Sequence, residues 1–143
     1  MPTIDELLAR VVTWAKARGD VLGVALVGSH ARGTAREDSD LDVVLVVESM
    51  ELYLQDDAWL LAFGELDSLA DEDYGLVQSR RAVYHGGLEL EWALADERWL
   101  RVPPDPGTAE VVADGMRILY DPSDRIAALQ HAAGSARPDR GRP

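Results

Sequence analysis

One stretch near the N-terminus decides the fold of this chain. Residues 28–33 are Gly-Ser-His-Ala-Arg-Gly, residues 39–42 are Ser-Asp-Leu-Asp, and the apolar run 43–47, Val-Val-Leu-Val-Val, follows at once. An apolar run of this length predicts a strand, and alternate side chains of a strand share one face. We therefore expect Asp40 and Asp42 to point the same way. Because two carboxylates held so close repel each other, the pair predicts a site for a divalent cation with oxygen ligands.

The glycine turn in front of the aspartates predicts a site for a phosphate group. Val21 to Val27 is an apolar run that ends at Gly28, and Ser29 to Ala35 has room for one or two helical turns. A strand, a glycine turn and a helix start together leave backbone N–H groups that suit an anion. Gly28 and Gly33 have the spacing of a P-loop, but Thr34 stands where that motif needs a lysine.

These residues resemble the signature of the DNA polymerase β-like nucleotidyltransferase superfamily, which is Gly-Ser-x-Ala-Arg-Gly, a short spacer and Ser-Asp-Leu-Asp. The likeness is close over residues 28–42, and a weaker likeness to small stand-alone bacterial nucleotidyltransferase domains extends over about 4–130. The resemblance implies an α/β (α+β) fold, a mixed twisted β-sheet with helices. The plain alternative is a glycine turn before a strand that carries two surface aspartates.

The resemblance also implies a chemistry. Enzymes of this superfamily move a nucleotidyl group from a nucleoside triphosphate to a hydroxyl and release pyrophosphate, with divalent metals at the acidic residues. It implies that Asp40 and Asp42 are catalytic and hold Mg²⁺ or Mn²⁺, with ATP or another NTP as the substrate.

A nucleotide-binding role follows for three residues of the turn. The resemblance implies that Gly28 lets the backbone approach the triphosphate, that Ser29 adds a hydroxyl donor, and that Arg32 pairs with phosphate. For Arg32 a surface ion pair with Glu37 or Asp38 is an equal alternative.

The superfamily uses a third acidic residue from a neighbouring strand. Residues 88–94, Leu-Glu-Leu-Glu-Trp-Ala-Leu, alternate so that Glu89 and Glu91 share one face. An acid followed by apolar residues fits the pattern of the superfamily best at Glu91, so we assign Glu91 as the third catalytic residue and metal ligand and keep Glu89 in reserve. A solvated strand face is the alternative for both glutamates.

Periodicity and turn residues predict the other elements. A capping box at Thr3 begins a helix that Gly19 ends, and Gly86-Gly87 forms a two-residue hairpin turn. One of Arg80 and Arg81 faces the cleft, and the sequence does not decide which. The remaining predictions are strands over 21–27, 42–48, 76–85, 88–95 and 116–120, helices over 56–63, 108–114 and 123–133, a nucleotidyltransferase domain over 1–133 and a disordered tail over 134–143.

Composition narrows the range of partners. The 143 residues carry a net charge of −12 and only one lysine, which argues against binding a polynucleotide backbone. The sequence contains neither an apolar run long enough to span a membrane nor a signal-peptide pattern, so we expect a cytoplasmic protein.

Two functions of different classes therefore stand at this point. The first is a metal-dependent nucleotidyltransferase that moves an NMP, which we expect to be AMP, to a hydroxyl of a small molecule or a protein. The second is an antitoxin-like or regulatory binding module that pairs with a small helical protein of the HEPN type, with transfer secondary or absent.

Overall fold

A mixed β-sheet organises residues 3–35 and 40–136, the part of the chain that the computed structural model describes. Its strands are β1 (Val21–Val27), β2 (Leu41–Val47), β3 (Leu66–Asp73), β4 (Gln78–Tyr84), β5 (Glu89–Ala95) and β6 (Met116–Tyr120). They lie in the order β3-β4-β5-β2-β1-β6. β2 and β5 pair in parallel, and the other neighbours pair antiparallel. The predicted fold class is thus confirmed.

Helices cover both faces of the sheet. They are α1 (Ile4–Ala17), α2 (Ser29–Arg32), α3 (Met50–Gln55), α4 (Pro106–Asp114) and α5 (Arg125–Ala136), with short 3₁₀ helices at Ala58–Phe63 and Glu97–Leu100. The capping box predicted at Thr3 is present, with Glu6 as its partner. None of the helices in the described ranges combines the length and the apolar character that crossing a bilayer requires.

The alternation along β2 divides the interior into two apolar layers. Val43, Leu45 and Val47 contribute to the layer under α1, α3 and the first 3₁₀ helix, where Trp59 and Trp92 meet edge to face. Alternate β2 residues pack on the other face, with residues of α4, α5 and the second 3₁₀ helix. A strand buried on both faces is apolar throughout, which explains why the run after the aspartates shows no polar alternation.

The segment between β2 and β4 differs from its prediction. The helix predicted over 56–63 is instead α3 followed by a 3₁₀ helix, because Asp56 adopts an extended conformation and accepts a hydrogen bond from the Ala58 N–H at 2.9 Å. No strand was predicted over β3. This edge strand is mostly exposed and acidic, so it lacks the apolar alternation by which a strand is recognised.

The hairpin between β4 and β5 is closed by three residues, not by the predicted two. The Tyr84 N–H donates to the Leu88 carbonyl at 2.8 Å, and the Gly87 N–H donates back to the Tyr84 carbonyl at 3.0 Å. A two-residue turn would have placed Arg81 opposite Trp92, whereas the observed register places it opposite Glu91. One residue of slip reverses which side chains face which side of the sheet.

Two further boundaries concern the ends of predicted elements. Helix α5 continues through Ala136, so residues 134–136, which we had assigned to a disordered tail, are helical. The rest of that tail, 137–143, lies outside the described residues, as do Glu37, Asp38 and Ser39.

Arg80 connects three parts of the fold from a buried position on β4. Its side chain is only 3% exposed. Its Nε donates to Asp71 of β3 at 2.9 Å, its Nη1 to the Tyr53 carbonyl of α3 at 2.8 Å, and its Nη2 to Asp57 beside the first 3₁₀ helix. Arg80 therefore links the irregular segment between α3 and β3 to the sheet, together with the Tyr84 hydroxyl, which donates to the Leu60 carbonyl at 2.9 Å.

We expect Arg80→Met to destabilise the protein by about 1–2 kcal/mol, because Asp57 and Asp71 lose their buried donor and the Tyr53 carbonyl keeps only the bond from Trp59 Nε1. Urea unfolding followed by circular dichroism measures the difference. The matched control is Arg98→Met, since Arg98 is half exposed and pairs with Asp96 at the surface; it should change stability by less than about 0.5 kcal/mol. Equal effects of the two substitutions would show that burial of Arg80 contributes nothing.

Candidate active site

The parallel pairing of β2 with β5 brings two predicted site residues side by side. Asp42 is the register partner of Glu91, and Leu41 that of Leu90. The side chains of Asp42 and Glu91 are close enough to interact by a hydrogen bond. Glu89 is likewise close enough to Asp40 for the two carboxylates to interact. The carboxylates thus form two pairs at the start of the paired strands, Glu91 beside Asp42 and Glu89 beside Asp40. We call each pair a rung.

The crowding of these acids shifts their protonation. Burial, together with the charges of Glu91 and Asp40, raises the pKa of Asp42 to about 6 against the opposing effect of Arg81. The pKa of Glu89 is raised as well, chiefly by its hydrogen bond with Asp40. A carboxylate with a pKa near 6 is held in an environment that disfavours its charge and would favour a cation beside it.

Gly28 directly follows β1, next to the same rung. Its predecessor Val27 is the register partner of Asp42. Gly28 has φ +76° and ψ −158°, a conformation that is essentially restricted to glycine. A Cβ at this position would collide with Oδ2 of Asp42. The glycine of the signature therefore has a close neighbour that the sequence did not predict, namely the carboxylate across the strand pair.

A cleft of about 870 Å³ opens over this end of the sheet. Four predicted site residues are among those that line it: Gly28, Arg32, Asp42 and Glu91. Arg32 passes close to the start of β6, since a Cβ on Gly115 would lie 2.8 Å from its Cγ. Ser29 is the half-buried first residue of α2, and neither Ser29 nor Asp40 is among the lining residues.

Arg81 is a site residue that the sequence only half identified. Its Nη2 lies 2.9 Å from Oε2 of Glu91 and 3.6 Å from Oδ2 of Asp40, so one nitrogen contacts both rungs. Ser79, two residues earlier on the same face of β4, donates from Oγ to Oε1 of Glu91 at 3.1 Å. Both oxygens of Glu91 thus have a partner on β4. Arg80, the other candidate, faces the apolar layer and belongs to the fold.

No sequence pattern identified the other residues that line the cleft. Its wall includes Tyr74 and Val77 from the β3–β4 connection, Trp99 from the second 3₁₀ helix, and Thr108 and Val111 from α4. Ordinary apolar and hydroxyl residues carry no motif. They reach the site only because the sheet and α4 meet there.

The donor set fits a hard divalent cation in its chemistry. It consists of carboxylate oxygens, which Mg²⁺ and Mn²⁺ prefer, and the space that a Cβ at Gly28 would fill leaves Asp42 accessible. Over residues 3–35 and 40–136, however, no three acidic, histidine or cysteine side chains are grouped closely enough to hold a metal ion as they stand. In the present arrangement of these acids, Asp40 and Glu91 both contact the guanidinium of Arg81.

Comparison with solved structures supports the fold. An aminoglycoside 6-adenyltransferase from Bacillus subtilis is similar at 19% identity with a TM-score of 0.56, over 69% of this chain and 37% of that one. The chain thus corresponds to little more than a third of that enzyme's length. A toxin-antitoxin structure with AMP-PNP is similar at 13% identity with a TM-score of 0.45, over 90% of this chain and 84% of that one. No curated protein sequence matches the chain.

Comparison with family sequence models supplies the assignment. The model of streptomycin adenylyltransferase matches residues 1–83, more than half of the chain. The matched part contains the Gly28 turn and both aspartates, while Glu91 lies beyond it. Together with the nucleotidyltransferase fold of the sheet, this match shows that the chain belongs to the streptomycin adenylyltransferase family.

Proposed function

We propose that this protein transfers an adenylyl group from ATP to a hydroxyl of a small-molecule acceptor. The observation that carries the proposal is the rung formed by Asp42 and Glu91 in the cleft, next to the glycine turn, in a chain of an adenylyltransferase family. The family description and the B. subtilis enzyme make a polycationic aminoglycoside the first acceptor to test. A net charge of −12 is compatible with a cationic acceptor.

In the proposed reaction the acceptor oxygen attacks the α-phosphorus of ATP. The bond from that phosphorus to the β-phosphate oxygen breaks, pyrophosphate leaves with the bonding electrons, and the hydroxyl proton passes to a carboxylate. We assign this last role to Glu91. Ser79 donates to one oxygen of Glu91 and thereby orients the carboxylate, while Arg81 contacts the other oxygen in the metal-free protein.

Asp40, Asp42 and Glu91 would hold the divalent metal. Bound Mg²⁺ would neutralise charge on the triphosphate and on the departing pyrophosphate. Gly28 keeps the space beside Asp42 free, and Arg32 offers a guanidinium to phosphate from the cleft wall. Ser29 remains a proposed hydroxyl donor at the start of α2.

The direct test is transfer of label from α-³²P-ATP to an aminoglycoside such as streptomycin in the presence of Mg²⁺. We expect a labelled acceptor and released pyrophosphate. Asp42→Asn and Glu91→Gln should each lower the rate by about a hundredfold or more, because a metal ligand or proton acceptor is lost. Glu89→Gln is the matched control two residues away, and it should lose less than about tenfold.

Other outcomes of this assay point to other functions. Label that appears on a protein after incubation with cell extract would move the acceptor to the protein class. ATP binding without any transfer would favour the antitoxin-like or regulatory module. Equal rates for Glu89→Gln and Glu91→Gln would contradict the assignment of Glu91.

A pair of glycine substitutions tests the role of the turn. Gly28 and Gly33 both have positive φ, but a Cβ at Gly33 meets nothing within 4 Å, whereas one at Gly28 collides with Asp42. We expect Gly33→Ala to cost about 1 kcal/mol of stability and to leave transfer nearly unchanged. Gly28→Ala should displace the Asp42 carboxylate and abolish transfer in protein that circular dichroism shows to be folded. Full activity of folded Gly28→Ala would exclude a functional role for this close approach.

The acid cluster should also lower the stability of the metal-free protein. The pKa of Asp42 is raised in the folded state, so its ionisation costs stability as the pH rises from the ordinary range of a carboxylate pKa to about 6. We expect Asp42→Asn to be more stable than the parent protein at pH 7.5 by about 1 kcal/mol, after allowing for solvent screening of a half-buried group. The gain should be smaller at pH 5, where folded Asp42 is mostly protonated. Urea unfolding in EDTA at the two pH values measures it, and a loss of stability at pH 7.5 would contradict the repulsion.

A further inference from the structure

In the described part of the chain, the four carboxylates at the starts of β2 and β5 share one basic partner. Asp40, Asp42, Glu89 and Glu91 form the two rungs. Within residues 3–35 and 40–136, the ion pairs recorded for these four acids are both made by Arg81, at 2.9 Å to Glu91 and 3.6 Å to Asp40. Its charge is also felt at Asp42 and Glu89, where it opposes the mutual repulsion of the acids. Arg81 therefore acts as the local counter-ion of the whole cluster.

The position of Arg81 differs from that of a structural arginine. Its side chain is 50% exposed, whereas that of its neighbour Arg80 is 3% exposed and bonded on three sides. Half-exposed ion pairs contribute little net free energy and are screened by solvent. The guanidinium of Arg81 can thus leave its carboxylates without loss of core packing.

Arg81 and a metal would compete for the same oxygens. A divalent cation on Asp40, Asp42 and Glu91 would use carboxylate oxygens that Arg81 now contacts, which are Oε2 of Glu91 and Oδ2 of Asp40. Two cations drawn to the same oxygens also repel each other. We propose that Arg81 is a built-in counter-ion that a divalent metal must displace, so that metal binds well only when the triphosphate accompanies it. The proposal rests on the metal site of the proposed function.

The proposal predicts whether removal of Arg81 raises or lowers the affinity for a divalent metal. If Arg81 is a competing counter-ion, its removal strengthens metal binding. If Arg81 only orients Glu91 as a ligand, its removal weakens metal binding. Loss of one positive charge next to a partly exposed site corresponds to about a 3- to 10-fold change in the affinity for a divalent ion.

The test is titration of the full-length protein with Mn²⁺ alone, with free Mn²⁺ followed by electron paramagnetic resonance. We expect Arg81→Gln to bind Mn²⁺ about 3- to 10-fold more tightly than the parent protein, and Arg81→Lys, which keeps the charge, to bind much as the parent does. The matched control is Arg98→Gln, which removes an equal charge from the cleft wall but leaves the cluster intact, since Arg98 pairs with Asp96. Its affinity should change less than twofold.

Two further readouts complete the test. A non-hydrolysable ATP analogue should tighten Mn²⁺ binding more in the parent protein than in Arg81→Gln. In the parent, the triphosphate oxygens offset the cost of displacing the Arg81 guanidinium, and this cost does not exist in Arg81→Gln. In EDTA, Arg81→Gln should melt about 2–5 °C below the parent protein, and saturating Mn²⁺ should remove the difference. Circular dichroism verifies that the variant is folded.

The possible failures are distinguishable. Unchanged or weaker Mn²⁺ binding by folded Arg81→Gln, with binding by the parent abolished in Asp42→Asn, would overturn the counter-ion proposal and leave the metal site standing. Binding of Mn²⁺ by Asp42→Asn as tight as that of the parent would contradict the metal site and the proposal together. No Mn²⁺ binding by either the parent or Arg81→Gln would do the same.

Discussion

The parallel pairing of β2 with β5 is the constraint on which the site depends. The other neighbouring strands in the described sheet run antiparallel, and this one junction places the starts of two strands side by side. Because Asp42 and Glu91 are register partners there, two acids far apart in sequence become neighbours at the starts of two internal strands. Residues further along both strands are buried in the two apolar layers, so the backbone beneath the acids is held by the core.

That rigidity has an electrostatic cost, which the surrounding residues partly offset. Burial and neighbouring charges raise the pKa of Asp42 to about 6. Ser79 and Arg81 contact Glu91 from β4, and Gly28 leaves room for the Asp42 carboxylate from β1. Strand β4 and the turn that follows β1 thus both contribute to keeping the two acids together. An arrangement that destabilises the fold while serving no packing role is typical of a functional site.

The sequence predicted those parts of the structure that follow from local chemistry. The apolar runs identified β1 and β2, and the alternation around Glu91 identified β5. Predictions failed where a segment is defined by its neighbours. β3 has no fully buried side chain and forms a strand only because β4 offers a partner, and the chain after α3 turns at Asp56 instead of continuing as a helix. No local pattern carries that information.

The arginine pair shows how much of a site can depend on one loop residue. Adjacent residues of a strand face opposite sides, so Arg80 and Arg81 cannot both reach the acids. The three-residue loop pairs Arg81 with Glu91, which leaves Arg80 in the apolar layer, where carboxylates and a carbonyl satisfy it. A loop shorter by one residue would exchange the two faces. The same two side chains are thus a counter-ion and a structural anchor solely because of the register, which the sequence of either strand alone does not determine.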